Sequence, residues 1–256
     1  MKKRADVLLH ERGLAESRAK AQALILAGVV YRGEGFEVRV EKAGEKLPEA
    51  EPLEVRGERL PYVSRGGLKL AGALDAFGLD PRGWVAADFG ASTGGFTDCL
   101  LQRGAARVYA IDVGYGQLHH RLRTNGRVVV MERTNARHLG PENLPEAVDA
   151  VVIDASFIGL GKLLPAAAAL LGPAGRVVAM VKPQFEVGAA RVGRGGVVRD
   201  DGLRAEAADG VAAAAAALGL VERGRADSAV AGPKGNREIF LWLAREPALP
   251  TEAAER

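Results

Sequence analysis

The order of hydrophobic and polar positions divides the chain into two parts. In the first part it predicts two short helices, one over residues 5–11 and one that begins after Ser17 and ends at Gly28. Three short strands are then expected at residues 29–31, 36–40 and 53–55. Helices followed by strands in so short a segment indicate a small α+β domain over residues 1–59.

In the second part of the chain, predicted strands and helices alternate. Residues 60–63, which include Pro61, are interpreted as a linker. The predicted strands are residues 85–89, 108–112, 128–131, 150–154, 177–181 and 238–243. Helices are expected between them, including residues 68–77 and an alanine-rich stretch over 203–218. This alternation is typical of a parallel sheet covered on both faces, so residues 64–256 are predicted to form a doubly wound α/β domain.

Composition places the chain among ordinary globular proteins. Of 256 residues, 48% are hydrophobic and 26% are charged, which excludes a wholly disordered, collagen-like or coiled-coil chain. The net charge of +3 is too small by itself to indicate a nucleic-acid-binding protein. Residues 1–32, however, hold seven basic and three acidic side chains, so positive charge is concentrated in the first domain.

Neither a membrane segment nor a metal site is indicated. The longest run without a charged residue spans 13 residues, 163–175, whereas a membrane-spanning helix needs about 20. The amino terminus is basic but lacks the apolar segment and cleavage site of a secretory signal, so we expect a cytoplasmic protein. One cysteine, Cys99, and four scattered histidines give no zinc-ligand spacing, so no metal is expected.

The sharpest chemical signal lies where the first strand of the second domain turns into a helix. Glycines in this segment, DFGASTGGF from Asp88 to Phe96, let the backbone approach a ligand closely. Their spacing differs from the G-x-G-x-x-G dinucleotide pattern, so a cofactor without phosphate, S-adenosylmethionine, fits better. Asp112 ends the next strand and suits a ribose with two hydroxyls. The candidate cofactor-binding residues are Asp88, Gly90, Ser92, Thr93, Gly94, Gly95, Phe96 and Asp112. The alternative is a tight turn with two structural acids.

Four charged residues at the ends of predicted elements form a second candidate group. Lys69 lies early in a helix, Asp154 ends a strand, Lys182 follows the next strand and Glu238 begins the last. Because ligands bind at the carboxyl ends of parallel strands, Asp154 and Lys182 should project beside the cofactor. A lysine there can act as a base, with carboxylates to orient it. Spacing alone leaves surface ion pairs as an equal alternative.

Sequence blocks along nearly the whole chain resemble known families. The first domain is similar to the S-four RNA-binding domain in the blocks Arg4-Ala-Asp6, Arg12-Gly-Leu14, Ser17-Arg18, Leu24-Ile25 and Gly28-Val-Val30. The second domain resembles the TlyA family in the blocks 64–70, 88–98, 153–157, 181–186 and 235–238. One departure is the Val-x-Val-Asn-Gly pattern of S-four domains, which is Val-Val-Tyr31-Arg32-Gly33 in this chain.

The resemblance implies a Rossmann-like class I methyltransferase domain of the FtsJ type. Such an enzyme transfers a methyl group from S-adenosylmethionine to the ribose 2′-hydroxyl of cytidine in ribosomal RNA of the small or large subunit. It also implies a Lys-Asp-Lys-Glu catalytic tetrad, for which the matching residues are Lys69, Asp154, Lys182 and Glu238. We expect RNA phosphates to bind the basic side chains of Arg4, Arg12, Arg18, Lys20 and Arg65.

Two other classes of function are considered beside this enzyme. One is a non-catalytic RNA-binding or ribosome-assembly factor that uses the fold only for docking. The other is a membrane-lytic haemolysin, as members of the family have also been called. The intact tetrad argues against the first, and the lack of a signal and of a spanning segment argues against the second.

Overall fold

A computed structural model describes residues 2–56, 60–193, 195–232 and 235–245 of the protein. The chain separates into two compact units, Met1–Arg65 and Gly66–Arg256. The domain ends predicted at residues 59 and 256 lie outside the described residues. That the first unit is an RNA-binding domain stays a prediction.

The first unit combines two helices with two small antiparallel sheets. Its helices are α1 (Ala5–Glu11) and α2 (Arg18–Leu26). Its strands are β1 (Lys2–Arg4), β2 (Val30–Arg32), β3 (Val38–Arg39), β4 (Lys46–Pro48) and β5 (Leu53–Val55). Strand β1 pairs with β4, and β3, β2 and β5 form the other sheet in that order. The sequence analysis missed β1 and β4, because consecutive charged residues in β1 hide any apolar alternation.

Both helices of the first unit pack on one small core. Ser17 caps α2 as predicted, since its Oγ accepts a hydrogen bond from the Lys20 amide at 3.1 Å. The buried face of α2 contributes Ala21 and Ile25, which join Leu8 and Leu9 of α1 in the core. The charged side chains of α2 are left at the surface of the unit.

The remainder of the described chain alternates between helix and strand. Its helices are α3 (Arg65–Phe77), α4 (Gly95–Gln102), α5 (His120–Arg123), α6 (Leu164–Leu170), α7 (Pro183–Glu186) and α8 (Asp201–Ala216). Its strands are β6 (Val85–Phe89), β7 (Arg107–Ile111), β8 (Val128–Met131), β9 (Val148–Ile153), β10 (Leu171–Val181), β11 (Leu220–Asp227) and β12 (Ile239–Arg245).

These seven strands form one sheet in the order β11-β12-β10-β9-β6-β7-β8. Strands β6 to β10 run parallel to their neighbours among them, and β12 runs antiparallel between β10 and β11. The strand order reverses beside β6, whose neighbours are β7 and β9. This is the doubly wound, Rossmann-like arrangement, so the predicted fold class is confirmed. Ligands of such sheets bind beyond the carboxyl ends of the strands at that reversal.

Two features of the sheet depart from the sequence prediction. Strand β10 begins at Leu171 rather than at residue 177, because the pairing with β9 resumes after an irregularity across Gly172–Gly175. Strand β11 was not predicted, since its exposed positions carry charged residues that mask the strand pattern. The core between sheet and helices is apolar and includes Phe89, Ile153 and Val181 at the carboxyl ends of β6, β9 and β10.

Candidate active site

Lys182 and Asp154 form an ion pair at the carboxyl edge of the sheet. The Nζ of Lys182 lies 2.6 Å from Oδ1 of Asp154 and donates a second hydrogen bond to Oγ of Ser156 at 2.8 Å. Lys182 is 7% exposed, so its amine is largely removed from water. Each residue directly follows a buried strand, β10 or β9, which holds its backbone in place.

Lys69 and Glu238 form a second pair, which is buried more deeply. The Nζ of Lys69, on the inner face of α3, donates a hydrogen bond to Oε2 of Glu238. Lys69 is 7% and Glu238 is 2% exposed. Charges buried to this degree cost several kcal/mol to desolvate unless they are paired, so these residues do not fit the alternative of surface ion pairs.

The sheet register brings the two pairs to the same edge. Val181 of β10 pairs with Ile239 of β12, and Lys182 and Glu238 are the next residues outward on these strands. Because β12 runs antiparallel to β10, Glu238, which precedes β12, lies beside Lys182, which follows β10. Only the tertiary fold places Glu238, which the sequence analysis assigned to a strand start, beside residues at strand ends.

The glycine segment turns sharply against the same edge. Gly90 has a φ of +87°, and a Cβ on it would lie 2.8 Å from the carbonyl oxygen of Asp154. Gly94, with a φ of +97°, leaves even less space, since a Cβ there would meet the side chain of Leu122 at 2.2 Å. Ser92 also adopts a positive φ, +49°, which is unusual for a residue with a side chain. The segment therefore needs glycine at 90 and 94 to follow this path.

Asp88 supports the glycine segment through hydrogen bonds from Thr97, the residue that follows it. Its carboxylate is buried, and its Oδ2 accepts hydrogen bonds from the Thr97 amide at 2.9 Å and the Thr97 hydroxyl at 2.7 Å. Its Oδ1 is buried without a hydrogen-bond partner among the described residues. Burial raises the pKa of Asp88 to about 7, the Thr97 bonds oppose this, and the negative charges of Asp154 and Asp112 add to it.

Asp112 holds the other side of the glycine segment. Its Oδ2 accepts a hydrogen bond from the Ser92 amide at 2.8 Å and its Oδ1 accepts one from the Gly114 amide at 2.7 Å. Each carboxylate oxygen keeps a further lone pair, because an ionised carboxylate has about four acceptor positions. The side chain can therefore bind hydroxyl groups while it fixes the loop.

A cavity of about 460 Å³ opens at this edge of the sheet. Of the predicted catalytic and cofactor-binding residues, Gly90, Ser92, Asp112 and Asp154 line it. Residues 94–96 begin helix α4, and Asp88 supports that turn. The cavity is also lined by residues that the sequence analysis did not select: Val113, Gln117, Thr134, Asn135, Ser156 and Phe157. Several of these follow strands β7, β8 and β9, which the sequence analysis had placed, so the rule about carboxyl ends could have found them.

The chemistry of the cavity suits S-adenosylmethionine. Among the described residues that line it there is no lysine or arginine. Asp112 and Asp154 line the cavity, and the unpartnered oxygen of Asp88 lies below the same turn. A sulfonium and an ammonium group are favoured beside such carboxylates. Asp112 is the residue that would hold the ribose hydroxyls.

The predicted RNA-binding residues of the first unit differ in exposure and in how far other protein groups engage their side chains. Arg4 and Arg18 are about half exposed and both contact the buried carboxylate of Asp6. Arg12 donates hydrogen bonds to the carbonyl oxygens of Glu51 and Glu49, so its guanidinium is partly engaged by backbone. Lys20 is exposed on α2, and Arg65 is the first residue of α3.

No group of three or more potential metal ligands occurs within the described ranges. In those same ranges, no helix is both long and apolar enough to span a bilayer.

Comparison with known proteins gives close matches over almost the whole chain. The FtsJ-like methyltransferase family matches residues 62–245. The 16S/23S rRNA (cytidine-2′-O)-methyltransferase TlyA of Mycobacterium tuberculosis is 50% identical over 243 residues, which cover 94% of this chain and 89% of that protein. Hemolysin A of Brachyspira hyodysenteriae is 39% identical, covering 93% of this chain and 98% of its own. A solved structure of a hemolysin-like protein from Streptococcus thermophilus superposes with a TM-score of 0.75 at 41% identity, covering 98% of this chain and 92% of that one.

Proposed function

The chain belongs to the FtsJ-like methyltransferase family, and from this premise we propose that it methylates the ribose 2′-hydroxyl of cytidine in ribosomal RNA with S-adenosylmethionine. The observation that carries the proposal is the ion pair between buried Lys182 and half-buried Asp154, which lines a cavity with acidic walls. The name of the relative from Mycobacterium tuberculosis supports the choice of substrate and of the cytidine 2′-oxygen.

In the proposed reaction, Lys182 accepts the proton of the ribose 2′-hydroxyl. Bound S-adenosylmethionine supplies an electrophilic methyl group for in-line attack by the 2′-oxygen. Asp154 orients the Lys182 amine through their 2.6 Å contact and balances the charge that the amine gains. Lys69 and Glu238 compensate each other's charge behind this pair, which keeps the edge of the sheet in one arrangement.

Some of the proposed cofactor-binding residues line the cavity, and the others support the residues that line it. Asp112 holds the ribose hydroxyls, and Gly90 lets the backbone approach the ligand. Ser92 and Asp154 complete the wall. Asp88 and residues 93–96 hold the glycine segment in place without lining the cavity. The negative charge of buried Asp88 attracts the cationic groups of the cofactor.

The first unit would bind the substrate through its phosphates. We assign this role to the five predicted residues Arg4, Arg12, Arg18, Lys20 and Arg65. Lysine and arginine contacts to phosphates give affinity that is independent of sequence, whereas a requirement for the 2′-hydroxyl distinguishes RNA from DNA. The substrate is ribosomal RNA, free or in ribosomal subunits, and we place the protein in the cytoplasm with them.

Family membership and the cavity beside the tetrad support methyl transfer over the non-catalytic RNA-binding factor and over the membrane-lytic haemolysin. The deciding experiment incubates the protein with labelled S-adenosylmethionine and unmodified small subunits, large subunits or naked ribosomal RNA. Alkali cleaves RNA through a free 2′-hydroxyl, so label in alkali-resistant dinucleotides is expected and identifies the subunit used. Label in mononucleotides would indicate base methylation and contradict the proposal, as would the absence of label from every substrate.

A matched variant assigns the chemistry to the site. Lys182→Ala should bind S-adenosylmethionine within about threefold of the unchanged protein yet show no methylation above background. Methylation by Lys182→Ala at a normal rate would remove this lysine from the mechanism.

A further inference from the structure

Ser156 lines the cavity and is a hydrogen-bond partner of Lys182 outside the tetrad. It belongs to the loop after β9, two residues beyond Asp154, and is exposed at the cavity wall. Its Oγ accepts a hydrogen bond from the Lys182 Nζ at 2.8 Å, next to the 2.6 Å contact with Asp154. Neither the spacing nor the resemblance singled out this serine.

Two partners constrain a lysine amine far more than one. The amine that accepts a proton is neutral, with two N–H donors and one lone pair at the end of a flexible four-carbon stem. A single contact with Asp154 would leave the amine free to turn around that contact. Donation to both Asp154 and Ser156 uses both N–H groups, so the lone pair is left to accept a proton from a group in the cavity.

The loop that carries Ser156 is itself held against the segment after Lys182. Oε1 of Glu186, at the end of α7, accepts a hydrogen bond from the Leu160 amide at 2.8 Å. The rings of Phe157 and Phe185 lie 5.4 Å apart. Phe157 has a φ of +67° and is 91% exposed, so the loop is held by the Leu160 hydrogen bond and the Phe185 ring contact rather than by burial. The serine is thus presented from an anchored loop.

We propose that Ser156 is a positioning residue that, together with Asp154, holds the amine of Lys182 toward the substrate 2′-hydroxyl. This inference rests on the proposed function, because it requires that Lys182 act on that hydroxyl. The step itself is unchanged: the 2′-oxygen loses its proton to Lys182 and gains the methyl group, and Ser156 neither gains nor loses an atom.

Removal of the hydroxyl should slow the chemical step without weakening binding. For Ser156→Ala we expect kcat to fall between about 10-fold and 100-fold, the scale on which small misplacements of catalytic groups act. The Kd for S-adenosylmethionine and the KM for RNA should stay within about twofold, because alanine keeps the backbone of the cavity wall and removes only the hydroxyl that contacts Lys182. Ser156→Thr keeps the hydroxyl and should recover most of the rate.

Two control variants separate this role from general loss of structure. Thr124→Val removes a hydroxyl whose partner is the His120 carbonyl on α5, outside the cavity, and should keep the unchanged kcat. Ser156→Cys keeps the volume but offers only a weak acceptor, so its kcat should fall between those of the alanine variant and the unchanged protein. Thermal unfolding of each variant establishes that it is folded.

The possible results separate the inference from the function on which it rests. A kcat for Ser156→Ala within twofold of the unchanged protein would overturn the positioning role alone. A rise in KM with kcat preserved would overturn it as well, since the serine would then bind substrate rather than orient the lysine. Failure of the unchanged protein to methylate any ribosomal RNA would instead refute the proposed function.

Discussion

The backbone amide and the hydroxyl of Thr97 both donate to one oxygen of Asp88, and the other oxygen of this buried carboxylate has no hydrogen-bond partner among the described residues. Asp88 therefore holds the first turn of α4. When it is ionised, it carries a negative charge that the surrounding residues do not neutralise. The pKa of Asp88 is raised from 3.8 to about 7 mainly by burial. Its ionisation in the folded protein therefore opposes folding and favours a bound cation.

The stability of the cofactor-free protein should consequently depend on Asp88 at neutral pH. The folded state binds the Asp88 proton more tightly than the unfolded state, so this residue's contribution to the free energy of unfolding falls as pH rises from about 4 to about 7. Asp88→Asn removes the titration and keeps an acceptor for Thr97. Urea unfolding at pH 5 and pH 8 should show a larger loss with rising pH for the unchanged protein than for the variant. Equal losses would contradict the assignment.

Cofactor affinity should show the opposite dependence on pH. An ionised Asp88 attracts the cationic cofactor, so the Kd for S-adenosylmethionine should rise several-fold when pH falls from 8 to 6. Calorimetry in two buffers of different ionisation enthalpy should detect proton release on binding at pH 6. Asp88→Asn should bind more weakly at pH 8 and lack this release; a variant with the same pH profile as the unchanged protein would place the titration elsewhere.

The close approach of Gly90 to Asp154 predicts a specific cost for a side chain. Gly90→Ala puts a Cβ 2.8 Å from the Asp154 carbonyl and also strains a φ of +87°. Gly78→Ala is the matched control, since Gly78 also has a positive φ, +63°, but a Cβ there meets nothing within 4 Å. We expect Gly78→Ala to cost about 1 kcal/mol of the free energy of unfolding. Gly90→Ala should cost clearly more and weaken cofactor binding; equal costs would show that the contact is relieved easily.

Asp6 should stabilise the first unit above acidic pH. Hydrogen bonds from Arg4 hold the pKa of its carboxyl well below the usual range, against the opposing effect of burial, and contacts from Gln22 and Arg18 add to this. The stabilisation is present above the unfolded pKa of 3.8 and is lost as pH falls below it. Asp6→Asn should cost about 2 kcal/mol at pH 7, the scale of a hydrogen bond to a charged group. Chemical unfolding at pH 7 and pH 3 measures this difference, which should shrink at the lower pH.

Substitution of the exposed arginines tests RNA binding by the first unit. Arg4→Ala and Arg18→Ala should each weaken binding to ribosomal RNA of any sequence, and each should lower the slope of log affinity against log salt by about 1. Arg39→Ala is the matched control, because Arg39, like Arg4, is paired with a carboxylate but was not selected from the sequence. Filter binding over a range of salt concentrations gives the slopes. Arginine variants with the slope of the control would assign RNA binding to other residues.

Local patterns were sufficient for much of the fold. Helix α1, strand β6 and the Ser17 cap of α2 follow from short-range spacing, because each depends on its own side chains. Strand β11 and the short strand β1 could not be predicted, since charged residues on exposed strand positions are tolerated only when a partner strand supplies the hydrogen bonds. Their existence depends on pairing with residues far away in the chain.

The sequence by itself determined the doubly wound fold, the glycine segment and the four charged candidates, because residue type and periodicity act over a few positions. Only the tertiary structure decided that Lys69 pairs with Glu238 and Lys182 with Asp154, since these partners are separated by as many as 169 residues. It alone placed Ser156 on the lysine amine and put Asp88 behind the cavity wall. Sheet register sets the distances between these side chains, and burial sets their charge states. Both arise from contacts between segments that are far apart in the sequence, so local patterns do not reveal them.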